Sequence, residues 1–174
     1  MSNLRLINET SASSVASVSV TDVFTSDFDI YKITFVGLSD DSGGSHMNFR
    51  FLDISGNVVT ASNYDYAHYE IHSYDTSHDE KKGTNSNAIK EFSYSFSTSL
   101  EATGTIYVFN PYSTSSYSFI LQQSEGQYSS GALSYKGIGV LKQTASMTGF
   151  NIYPNIAGNI NVQKIRTYGL RVDS

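Results

Sequence analysis

The sequence predicts an all-β fold, an antiparallel β-sandwich, and three observations carry that expectation. Aromatic residues are plentiful, with 13 Tyr and 10 Phe, while charged residues make up only 16% of the 174-residue chain, against about 25% in an average globular protein. Apolar residues recur with period two in short segments. Gly, Asn, Asp and Ser clusters interrupt these segments at intervals of roughly 8–15 residues. No segment carries a sustained helical period, and no shift in composition divides the chain, so residues 1–174 are expected to form one domain.

In chain order, strand character is already present at Leu4. Phe28 to Val36 alternates with Tyr31, Ile33 and Phe35 on the more continuous apolar face, as a central strand that Gly37 is expected to end. Asp40 to Ser45 reads as a loop. Met47, Phe49 and Phe51 then share one face of a strand, followed by a turn at Ser55-Gly56-Asn57 into Val58 and Val59. Tyr64 to Tyr74 is aromatic and polar. Asp75 to Asn87 has no strong apolar residue and is expected to be a long exposed loop. Phe92, Tyr94 and Phe96 alternate with Ser93, Ser95 and Ser97, a pattern that predicts a strand with a solvated serine face. Strands follow at Thr105–Phe109, at Ser116–Gln122 with Tyr117, Phe119 and Leu121 on one side, at Gly137–Leu141, at Gly149–Tyr153 and at Ile160–Tyr168. Eight to ten strands without helices point to a sandwich or barrel of antiparallel sheets, and the count suits a jelly-roll-like sandwich.

Charge and cysteine content exclude several functions. A net charge of −5 and a pI near 5.2 argue against a nucleic-acid or anionic-membrane surface, which needs clustered Lys and Arg. No apolar run is long enough to span a bilayer as a helix. Met1 to Arg5 lacks the basic and apolar regions of a secretory signal, so synthesis in a cytosol is expected. With no Cys, disulfides, thiol nucleophiles and thiolate-held metals are not available.

His68-Tyr69-Glu70-Ile71-His72 is the most chemical-looking stretch. On a strand, His68, Glu70 and His72 project to one face, where two imidazoles and a carboxylate suit zinc or non-haem iron. Tyr64, Tyr66 and Tyr74 fall on the same face, which favours an aromatic, exposed or interfacial strand over a metal site, and no metal or other cofactor is expected. Asp40, Asp41, Asp75, Asp79 and Glu80 offer oxygens for calcium but match no calcium-loop spacing. There is no Gly-x-Ser-x-Gly elbow. Glu9, Glu70, Glu91, Glu101 and Glu125 supply carboxylates without indicating a pair, so no catalytic residue is assigned. Gly137-Ile138-Gly139-Val140 lacks the third glycine and the helix of a dinucleotide site and reads as a closely packed strand or a bulge. The tyrosines are the anomaly of the composition. Tyr64, Tyr66, Tyr69, Tyr74, Tyr112 and Tyr117, set among Ser, Asn and Asp, are the expected interface residues.

Two ends of the chain carry a resemblance. The N-terminal run Leu6-Ile7-Asn8-Glu9-Thr10-Ser11-Ala12-Ser13-Ser14-Val15 continues through Phe24-Thr25-Ser26-Asp27-Phe28-Asp29-Ile30-Tyr31 to Phe35-Val36-Gly37-Leu38. The finish holds Gly149-Phe150-Asn151-Ile152-Tyr153, Gly158-Asn159-Ile160 and Ile165-Arg166-Thr167-Tyr168-Gly169-Leu170. Together with Asn63-Tyr64-Asp65-Tyr66 and Asn110-Pro111, this pattern resembles small virion proteins and fibre modules of tailed bacteriophages, those of marine and cyanobacterial phages especially. It covers most of the chain except 75–87. The resemblance implies a jelly-roll-like sandwich that assembles as a homotrimer on a virion, with no catalytic residues to carry over. A non-enzymatic capsid decoration protein, bound to the major capsid protein of the head, is the expected role. The alternative is a tail fibre knob or adaptor that recognises a host surface glycan.

Overall fold

A computed structural model describes residues 3–95 and 99–171 as twelve strands and no helix. They are β1 (Leu4–Val15), β2 (Val18–Val20), β3 (Ile30–Asp40), β4 (Ser45–Asp53), β5 (Tyr64–His72), β6 (His78–Ser86), β7 (Ile89–Ser95), β8 (Ala102–Phe109), β9 (Ser118–Tyr128), β10 (Gly131–Leu141), β11 (Met147–Pro154) and β12 (Ile160–Leu170). The strands pair antiparallel in an eight-stranded sheet of order β1-β12-β3-β8-β9-β10-β5-β6 and a four-stranded sheet of order β2-β11-β4-β7. The all-β sandwich expected from the sequence is the observed fold.

The core lies where the smaller sheet covers the larger. Tyr31, Ile33 and Phe35 of β3 face Met47, Phe49 and Phe51 of β4, all fully buried, as period two requires. The Phe49 and Phe150 rings stack at 5.5 Å, and Phe35 meets Phe92 edge-on at 5.7 Å, arrangements that suit the quadrupoles of aromatic rings. Two of the buried tyrosines, Tyr31 and Tyr64, have their hydroxyls satisfied locally. Tyr31 Oη donates to the Thr25 carbonyl and accepts from the Thr25 amide. Tyr64 Oη donates to Val59 O at 3.0 Å and accepts from Phe51 N at 3.1 Å.

Four expectations are corrected. Gly37 does not end β3. At φ +67° it forms a bulge across which pairing with β8 shifts, and β3 runs on beside β12 to Asp40. The stretch 75–87 is not a loop throughout, because residues 78–86 form β6, paired along β5 from Ile71–His78 to Tyr64–Ser86. This edge strand is held by backbone bonds and its side chains are largely exposed, so no apolar alternation marks it. With the three-residue β2 it brings the strand number to twelve rather than eight to ten. The serine face of β7 is not solvated. Glu91 takes a left-handed φ of +57°, Phe92 and Ser93 are both buried, and Ser95 Oγ accepts from Asp40 N and donates to Leu100 O. Phe96 and Ser97 lie outside the described residues.

The sense of the β9 alternation, which the sequence leaves open, matters most for function. On β9 the inward residues are Ser118, Ile120, Gln122, Ser124 and Gly126, while Phe119 and Leu121 point outward. The inner side is small and polar because β7, the edge of the smaller sheet, passes close over it. Ser124 Oγ donates to Phe92 O at 2.8 Å. A Cβ on Gly126 would stand 2.2 Å from Tyr94 O, and one on Gly139 2.6 Å from Ile89 Cδ1. Gly137 and Gly139 thus mark a closely packed strand and not a bulge, the first of the two readings the sequence offers. At Ser124, Gly126 and Gly139 the inner face has no room for a bulky group.

Candidate functional site

That outer face is the first candidate site. Pairing across the large sheet aligns Phe109, Phe119 and Val140 in one row and Tyr107, Leu121, Ile138 and Ala67 in the next. Tyr69 and Ile71 continue the apolar surface along β5. Leu121 is 42% exposed, Phe119 44%, Tyr69 50%, Ile71 53% and Ile138 60%. With side chains of about 180 Å2 each, those fractions leave about 450 Å2 of apolar surface, the size of the largest patch on a typical monomer, which is often functional. An open concavity of about 580 Å3 lies among Tyr66, Phe109, Phe119, Leu121, Ile138 and Val140. Charges of both signs rim the patch. Lys32 and Lys82 end the Leu121–Ile138 row, with the Lys32 ammonium 5.9 Å from the Tyr107 ring centre. Lys136, Glu80 and Glu125 occupy the rows beyond, and Asp65 pairs with Lys142 at 2.9 Å.

The six tyrosines expected at an interface divide. Tyr64 is in the core and cannot touch a partner; its parity on β5 turns it inward, where its hydroxyl ties the residues around Phe51 and Val59. Tyr66 is half-buried, packed against the core and lying over Gly83 of β6. Tyr69, of opposite parity, is on the exposed face. Tyr74 is exposed at the end of β5, stacked on His72 at 4.9 Å and 6.3 Å from Tyr128. Tyr112 and Tyr117 belong to the β8–β9 connection, half-buried and exposed respectively. Phe119, Leu121 and Ile138 were not singled out in the sequence, although the alternation of β9 and β10 contains them.

The inner face of β5 is the second candidate. His68 and Glu70 share this face, as their parity predicts, but it is buried rather than exposed or interfacial. His68 belongs to an aromatic pocket, 5.7 Å from the Tyr135 ring and 6.2 Å from Tyr66, and His46 lies 6.2 Å from Tyr135 and 4.8 Å from Tyr94. Burial pushes both imidazoles below the usual histidine range, His46 and His68 alike, against the opposing pull of the Glu91 and Glu70 carboxylates. Burial first, and then the Glu70 charge, pushes the Tyr135 hydroxyl up. These groups are therefore neutral near pH 7. Among the described residues, His, Asp and Glu converge in one group, and it is not His68–Glu70–His72. It consists of Glu70, His72 and Asp79.

The remaining acidic residues are engaged elsewhere. Asp40 is buried and accepts from Ser42 N, Ser42 Oγ and Gly44 N of its own loop, while Asp41 accepts from Asn159 N. Glu9 pairs with Lys164 at 3.1 Å and Arg166 at 2.7 Å, Glu101 accepts from Gln163, and Glu91 pairs with Lys81 at 3.4 Å. No family model matches this chain, and no curated protein and no solved structure matches it.

Proposed function

We propose that this chain is a non-enzymatic assembly protein of a tailed-phage virion, acting as a homotrimer that decorates the head. The observation that carries the reading is the exposed apolar outer face of β8, β9, β10 and β5 on a domain whose core is otherwise closely packed. Its area is about 450 Å2, close to the apolar share of the roughly 800 Å2 that each partner gives to a stable interface. The occupant we assign to it is a second copy of this chain. Its rim holds Lys32, Lys82 and Lys136 beside Glu80, Glu125 and Asp65, a mixed-sign set that can complement itself in a symmetric assembly.

The strand connectivity supports the virion reading. Without the β5–β6 and β9–β10 hairpins, eight strands remain in the orders β1-β12-β3-β8 and β2-β11-β4-β7, and successive strands change sheet at every step except β4 to β7. We infer that this frame is a jelly roll, the fold of many capsid proteins, with both hairpins added to one sheet. The hairpins then supply most of the apolar face, the part of the molecule a bare jelly roll lacks. Decoration would work by mass action: a trimer that binds only the assembled shell stabilises it by RT ln(1 + [L]/Kd). The protein would be made in the host cytoplasm and reside on the virion.

The test is co-sedimentation of the purified chain with undecorated capsids, alongside binding to host-surface polysaccharide. Saturable binding to shells by a trimer is expected. A trimer that ignores shells but binds the glycan would move the protein to the tail as a receptor-binding knob, and a monomer that binds neither would overturn both readings.

A further inference from the structure

We propose that Glu70, His72 and Asp79 form a binding site for a first-row divalent transition ion, zinc being the reference case, at the edge of the large sheet. One ligand atom from each of the three lies within 4.8 Å of the other two. Bonds of about 2.0–2.2 Å to a common ion would bring such atoms to roughly 3–4 Å, a contraction that side-chain rotation can deliver. The placement follows from strand pairing. Glu70 and His72 share the inner face of β5, and Asp79 of β6 is the direct cross-strand partner of Glu70.

The imidazole supplies the independent sign of a ligand. The His72 side chain is only 7% exposed, yet neither ring nitrogen makes a hydrogen bond. A buried polar group in that condition costs free energy unless something occupies it. Nε2 faces Glu70 Oε1 at 3.4 Å, the side on which an ion would sit, while Nδ1 faces Asp75 Oδ1 at 3.6 Å. That is the order of a carboxylate–histidine–metal chain, in which the outer carboxylate orients the ring and fixes its tautomer. Tyr74 stacks on the other side of the ring at 4.9 Å. One imidazole nitrogen with carboxylate oxygens suits zinc and its neighbours in the series, whereas calcium and magnesium take oxygen ligands. The ion would also have a structural effect. β6 has no apolar face to bury, and a metal bridging Asp79 to Glu70 and His72 would tie this edge strand to β5. The inference is independent of the virion reading.

The experiment is calorimetric titration of zinc into the untagged, chelator-treated full chain, with calcium in parallel, and hydrogen–deuterium exchange on β6 with and without zinc. One zinc per chain is expected, with exchange in β6 slowed on binding. Asp79 is exposed, so Asp79→Asn should fold normally while weakening zinc at least tenfold and removing the slowing. His78→Asn, on the opposite face of β6, should bind as the unmodified chain does. Absence of saturable zinc binding, equal affinity in Asp79→Asn, loss in His78→Asn, or calcium binding as tightly as zinc would each overturn the proposal.

Discussion

Replacing Ile138 with Lys tests the outer face where it is most exposed. Ile138 sits between Leu121 and Ala67 in the middle of the apolar rows and is 60% exposed. If another copy covers it, about 110 Å2 of side-chain surface leaves water on association. At about 25 cal/mol per Å2 that is ~2.7 kcal/mol per contact, or ~100-fold in affinity. The introduced ammonium would also lie two residues from Lys136 and two strands from Lys82, adding like-charge repulsion in an apolar setting. The fold should be indifferent, since exposed substitutions usually stay within about 0.5 kcal/mol. Sedimentation velocity over a dilution series, with urea unfolding as the control, separates the two effects. The reasoning is refuted if Ile138→Lys associates with the midpoint of the unmodified chain. It is refuted equally if the variant loses stability by several kcal/mol, because Ile138 would then be a core residue.

Other expectations concern the frame that holds this face. Tyr64→Phe removes a hydroxyl that serves Phe51 N and Val59 O. It should lower stability by about 1–3 kcal/mol, visible as a lower urea midpoint at unchanged slope. Gly126→Ala places a methyl group against the Tyr94 carbonyl, and forcing β7 away from β9 should cost about 1–3 kcal/mol or more by thermal unfolding. Stability should also fall on mild acidification. His46 and His68 are held below 6.5 by burial, more than Glu91 and Glu70 can offset and with Lys81 adding to the depression. The unfolded chain then takes up protons near pH 6.5 that the folded one refuses, so stability is lost below about 6.5 and levels off beneath the folded values. A second loss follows at lower pH, where Glu9, Asp53, Asp65 and Asp75, all held below their usual ranges by hydrogen bonds and ion pairs, protonate in the folded state. His68→Gln should shrink the first phase and leave the second.

What the sequence revealed depended on whether a segment's backbone and its side chains made the same statement. In β3 and β4 they did: Tyr31, Ile33 and Phe35, then Met47, Phe49 and Phe51, alternate and are buried together. β6 was invisible because its place in the sheet is held by the peptide groups of β5 and not by any apolar side chain of its own. With β6 hidden, the Glu70–Asp79 pair could not be seen, and His68 was grouped with Glu70 and His72 on strand parity alone. In β9 the alternation was plain but its sense was not. Period two distinguishes two faces without saying which one meets the core. Here the close passage of β7 over Ser124 and Gly126 decided against Phe119 and Leu121. The same ambiguity placed Tyr64 and Tyr69, one buried and one exposed, in a single expected surface.

The account rests on the outer face of the large sheet being a contact surface between copies. Light scattering on the unmodified chain across a dilution series tests that most directly. A trimer that dissociates to monomer only on dilution, and at higher concentration in Ile138→Lys than in the parent, is the predicted result. A chain that stays monomeric throughout, or a trimer whose mass is unaffected by charges placed at Ile138 and Leu121, would contradict it.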